Sequence, residues 1–199
     1  MTTQSSMHAY VDWTKERLDE IDANLASFES SAAKLQTDAR TKAEPAIAHM
    51  RAARDAFREA MKQQSQATET ALAISKKELE TKWTAFEADV QTYLDVTDKH
   101  VNDQRAAFMA RAAAQSQAWQ DAIDKLQKST ASGVAQSRDD IEKVVKHMTD
   151  EAGAAKVKLD QLNKAGGESW TAMRSALSET RAALDRAQQT AIDAFKRAM

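Results

Sequence analysis

The chain has 199 residues, with 28 basic and 30 acidic side chains mixed along its length and a net charge of −2. That balance excludes the strongly basic face that general nucleic-acid binding requires, and the absence of cysteine excludes disulfides and thiolate metal sites. One proline, four glycines and 40 alanines beside only 44 large apolar residues favour long, thin helices over a thick core.

Taken in chain order, the first predicted helix covers 5–64. Val11, Leu18, Ile21, Leu25, Phe28 and Leu35 recur three, four or seven apart and place a narrow apolar seam on one side. The alternation slips to steps of four at Ala39, Ala43 and Ile47, beside Pro45. The polar stretch Lys62 to Thr70 ends this segment. A second helix is predicted over 68–129, with Leu79, Trp83, Phe86 and Val90 and then Val101, Phe108, Trp119 and Leu126 on its seam. Ser129 to Gly133 reads as a turn, and Ser137 followed three residues on by Asp140 resembles a helix start. The third helix, 134–199, carries Ile141, Val144, Met148, Ala155, Leu159 and Leu162, then Trp170, Met173, Leu177 and Leu184. Its spacing slips across Gly166-Gly167.

Three segments of similar length with short connections suit an all-α, elongated, antiparallel coiled-coil bundle forming one domain over 1–199. Each helix would span roughly 90 Å at 1.5 Å per residue. The slips at Pro45 and at Gly166-Gly167 fall at a similar level, so the expected molecule is a rod kinked there. The alternative is a four- or five-helix bundle in which those breaks are hairpin turns and Thr41 to Glu44 is a capping box. An internal repeat at the spacing of Trp13 and Trp119, 106 residues, fails. It carries Leu18 onto Asp124, Ile21 onto Gln127 and Trp83 onto Gln189.

Chemistry is sparse. His8, His49, His100 and His147 are far apart, and none forms a His-x-x-x-His or Glu-x-x-His pair that would set two metal ligands on one helix face. His100 has Asp98 and Asp103 nearby, and His147 lies between Lys143 and Glu151 at helical spacing; both read as solvated charge pairs. No Gly-rich phosphate loop, Gly-x-Ser-x-Gly or cysteine nucleophile occurs. The expectation is a non-enzymatic protein with no metal, cofactor or small-molecule substrate.

Two segments carry candidate partner-binding residues. Within 47–62, Arg51, Arg54, Arg58 and Lys62 form a basic stripe and Ile47, Met50, Phe57 and Met61 an apolar one. Basic amphipathic helices bind anionic surfaces and partner grooves, although a solvated flank of a core helix has the same pattern. Near the C-terminus Phe195 lies beside Lys196 and Arg197, where basic residues also complement the helix dipole.

Alanine- and glutamine-rich helices with acid–base punctuation, such as Trp170 to Gln189, resemble bacterial apolipoprotein-like and phasin-like helical proteins. The resemblance implies a helical bundle able to lie on a lipid or polymer surface. The chain departs from apolipoprotein helices in its single proline and narrow seam. Long bent helices also look like a BAR-type membrane-curvature module, without its concentrated basic face. The expected function is therefore a structural or interaction scaffold that self-associates, a dimer being favoured. The alternative is a coat for anionic membranes or storage granules. No window reaches the roughly 18 apolar residues that cross a bilayer, and the N-terminus lacks a secretion signal, so a cytoplasmic location is expected.

Overall fold

The computed structural model describes residues 2–63, 68–97, 101–131, 135–165 and 170–198. The described residues are all-α, as expected, but they form six helices where three long ones were expected. They are α1 (Thr2–Ala32), α2 (Thr37–Lys62), α3 (Glu69–Val96), α4 (Val101–Ala131), α5 (Ala135–Ala165) and α6 (Trp170–Ala198). The breaks after α2 and α4 fall where the polar stretches placed them. The other three correct the sequence reading.

The break between α1 and α2 shows why it was missed. After Phe28 and Ala32 the chain tightens: Lys34 N donates to Ser31 O (3.0 Å) and Leu35 N to Ala32 O (3.1 Å), three-residue steps that close a helix end. Gln36 is extended, and α2 restarts at Thr37. This turn, 33–36, is about one helical turn long, so the apolar period runs across it with its phase intact. Pro45 neither ends a helix nor makes a hairpin; it lies inside α2. Thr41 is not a cap, since its hydroxyl donates back to Thr37 O (2.9 Å) within the helix. Glu44 pairs instead with Arg40 (3.5 Å). The middle helix divides after Thr97, whose amide and hydroxyl both donate to Tyr93 O. Gly166-Gly167 falls between α5 and α6, outside the described residues, as do Asp98 and His100.

The chain forms two compact units, Thr3–Arg111 and Ala112–Met199. In the first, α1 and α3 run parallel at one register: Tyr10 OH bonds Ser75 Oγ (2.6 Å), and Phe28 stacks on Tyr93 (centroids 4.0 Å apart), each pair separated by 65 positions. Tyr93 OH also donates to Phe28 O (3.2 Å). α2 returns antiparallel, with Phe57 stacked on Trp13 (6.1 Å) and Met50, Ile47 and Ala43 buried. The core is aromatic: Tyr10, Trp13, Phe28, Phe57, Phe86 and Tyr93 are all buried. In the second unit, Trp119 and Leu126 of α4, Met148 of α5 and Leu184, Ala187 and Ala191 of α6 form one core cluster.

The three helices α4–α6 repeat the burial pattern of α1–α3 at an offset of 98 residues, the separation of Tyr10 from Phe108. Ile21, Phe28, Met50, Leu72, Leu79, Phe86 and Tyr93 are buried, and so are Trp119, Leu126, Met148, Trp170, Leu177, Leu184 and Ala191 at that offset. Helix α2 begins at Thr37 and α5 at Ala135, the same separation. Local bonds recur too. Gln91 Nε2 donates to Asp95 Oδ1 (2.7 Å) and Gln189 Nε2 to Asp193 Oδ1 (3.0 Å). Thr92 and Thr190 each bond the carbonyl four residues back. Ninety-eight residues are fourteen heptads, so the offset preserves seam phase. The spacing of 106 examined from the tryptophans pairs the wrong positions: the counterpart of Trp13 is Arg111, and that of Trp119 is Ile21.

Candidate functional site

The basic stripe of α2 lies against acids. Arg58 grips both carboxylate oxygens of Asp22 (3.0 and 2.9 Å). Arg51 holds Glu29 through Nε (2.8 Å) and a terminal nitrogen (2.7 Å). Both reach across from α2 to α1 at positions seven apart on each helix, so they act as two rungs between antiparallel partners. Arg54 bonds its neighbour Asp55 (2.9 Å). That hydrogen bond, reinforced by the charge, holds the Asp55 carboxyl below its usual range and raises the Arg54 guanidinium. Lys62 is 76% exposed and lies 3.9 Å from Glu59. The apolar stripe beside them does not face outward: Ile47, Met50 and Phe57 are buried, and Met61 is half-buried. Exposed pairs of this type contribute about 0.2–1 kcal/mol each, enough to favour one α1–α2 register without fixing the fold. The side chains of Phe195, Lys196 and Arg197 lie outside the described residues.

A second polar cluster is internal and was not anticipated from sequence. Arg111 of α4 is fully buried. Its Nε donates to Glu20 Oε2 of α1 (3.0 Å), its Nη1 to Glu87 Oε2 of α3 (3.2 Å), and its Nη2 to Glu87 Oε1. The guanidinium also lies over the rings of Trp83 (5.5 Å) and Phe86 (5.9 Å). One cation thus ties three helices, with two carboxylates and aromatic faces replacing its hydration. A signal was present: Arg111 lies three residues after Phe108 and eight before Trp119, on the apolar row itself. Trp13 is a similar platform, carrying Arg17 (4.7 Å) on its ring and Lys76 (5.2 Å) nearby. The polar residues Glu16, Arg17, Glu20 and Asn24 of α1 are buried along one flank, beside the apolar flank of Ile21, Leu25 and Phe28.

The histidines remain apart. His49 Nδ1 is 3.2 Å from Asp89 Oδ1, and His147 Nε2 is 4.0 Å from Glu151 Oε1, both exposed. Among the described residues no group of three or more His, Asp or Glu could hold a metal ion. Nor is any described helix long and apolar enough to cross a membrane.

In comparison with known proteins, no family model, no curated protein and no solved structure matches the chain.

Proposed function

We propose that this protein is a non-enzymatic helical scaffold that self-associates, with a dimer as the smallest assembly. The observation that carries this reading is where its charge is used. Arg51 and Arg58 on the surface of α2 and the buried Arg111 of α4 are each bound to carboxylates on other helices. Their work is to join helices. With 44 large apolar residues shared among six helices, cores are thin, and association with further copies adds burial that one chain lacks. Ile74 and Val157 stay more than half exposed on α3 and α5. Sedimentation equilibrium across a hundredfold range of concentration tests it. A mass rising from one chain to two supports the scaffold, and a constant one-chain mass refutes it.

The second reading is a coat on anionic membranes or granules. It is favoured by the row Arg51, Arg58 and Lys62, whose side chains keep 50%, 47% and 76% of their surface in solvent on one side of α2. Co-sedimentation with vesicles containing phosphatidylserine tests it. The variant must neutralise rather than reverse the row (Arg51→Gln, Arg58→Gln, Lys62→Gln), because reversal would also set like charges against Glu29 and Asp22. Binding lost on neutralisation supports the coat, and no vesicle binding by the parent chain removes it.

A further inference from the structure

The buried row of α4 is unusual in what it lacks. Ala107 and Phe108 are buried near its start and Trp119 further on. Between Phe108 and Trp119 the only large apolar residue is Met109, which is exposed, while Ala110, Ala112, Ala113, Ala114 and Ala118 fill the rest. An alanine surface is smooth. Sliding it by a turn along a partner helix loses few interdigitated contacts, so between the buried Phe108 and Trp119 apolar packing adds little to the register. The fully buried residues of that interval are Arg111 and Gln115. Arg111 is held by Glu20 and Glu87 in the first unit. In the second unit Gln115 Nε2 donates to Leu177 O of α6 (2.9 Å).

We propose that Arg111 is a register lock: its bonds to Glu20 and Glu87, added to the buried ring of Phe108, select where the Val101–Arg111 stretch of α4 docks against α1 and α3. A slipped alignment would bury a guanidinium without its carboxylates, and a buried unpaired charge costs far more than lost alanine contacts. The position does not demand a charge for packing, since its counterpart 98 residues earlier is Trp13, an aromatic ring at home in the core. A single buried polar group that fixes alignment at some cost in stability is the best-attested use of such residues.

The test uses the full chain and hydrogen exchange read by mass spectrometry. In Glu20→Gln with Glu87→Gln, the guanidinium keeps its burial and loses both counter-charges. Amides of 101–111 then exchange at least tenfold faster than in the parent, while those of 37–62 keep their rates. In Arg111→Met combined with Glu20→Gln and Glu87→Gln, the seam is filled by an apolar chain of similar length and neither carboxylate is left buried without its cation. This triple variant folds, but peptides of 101–111 show two exchange populations because slipped alignments are no longer penalised. Parent-like rates in 101–111 of the double variant would overturn the proposal. So would equal acceleration in all six helices, which would make the cluster a general stabiliser. Should the double variant not fold, the triple variant decides alone: a single parent-like exchange population refutes register selection.

Discussion

At matched positions the two halves of this chain fill the same seam with different chemistry. Where α1–α3 place Phe28, Phe57, Phe86 and Tyr93, α4–α6 place Leu126, Ala155, Leu184 and Ala191. The first core is built of rings that stack in pairs, Phe28 on Tyr93 and Trp13 on Phe57. The second is aliphatic and alanine-rich around Trp119. The difference teaches that helical phase is set by where apolar residues recur, and stability by how much each one fills. Aromatic side chains bury about 150–250 Å² apiece and alanine far less, so the first half should hold more of the folding free energy.

The sharpest way to break that comparison is to remove one matched pair of core residues. Phe28→Ala deletes a fully buried ring and should cost about 3–5 kcal/mol. Leu126→Ala, at a counterpart that keeps 9% of its surface exposed, should cost nearer 2 kcal/mol. Urea titration of both variants checks this, and equal costs would end the argument that the halves differ.

The next effect has the opposite sign. Asn24 is fully buried in α1 and neither atom of its amide has a hydrogen-bond partner among the described residues, while its counterpart is Ala122. A buried amide left unsatisfied costs on the order of 1–3 kcal/mol. Asn24→Leu, which keeps the same branched skeleton of four side-chain heavy atoms, should therefore raise stability by about 1 kcal/mol in the same titration; a loss of stability would mean that the amide is engaged.

Smaller still is Gly153, inside α5, where an added Cβ meets nothing within 4 Å. Gly153→Ala restricts the unfolded chain without a clash and should add about 0.5–1 kcal/mol, read as a higher melting temperature. Its counterpart, Asp55, shows that a side chain is tolerated at this place in the unit.

The smallest effect depends on pH. Glu179 of α6 accepts from Lys158 of α5 and from Ser175 (3.2 Å), and chiefly the hydrogen bond from the lysine holds its carboxyl below the usual 4.5. Because the folded carboxyl is the stronger acid, its contribution is present above 4.5 and is lost as pH falls through its folded value. The stability difference between the parent chain and Glu179→Gln should thus be small near neutrality and vanish in strong acid. At the matched positions of the first half stand Ala60 and Thr81, which cannot form this ion pair.

Much of the packing was legible in the residues. Ile21, Leu25 and Phe28, Leu79, Phe86 and Val90, and Met173, Leu177 and Leu184 were placed on seams by spacing, and all are buried. The number of helices was not legible, because a turn of four residues at 33–36 leaves the period unbroken. The offset of 98 was hidden for a related reason: matched positions share size class and burial more often than identity, as in Leu72 with Trp170 or Tyr93 with Ala191. The internal cation was half legible. Arg111 stood on an apolar row, but Glu20 and Glu87, its ligands, are 67 residues apart and meet only when α1 and α3 align.

The sequence by itself determined that every described element is a helix and which face of each turns inward. Backbone propensity and the 3.6-residue period are local properties that need no partner to act. Only the tertiary structure decided where the helices end and which acid each arginine meets. Those choices depend on groups distant along the chain, whose attraction matters once folding has brought them within hydrogen-bonding distance and removed the water between them.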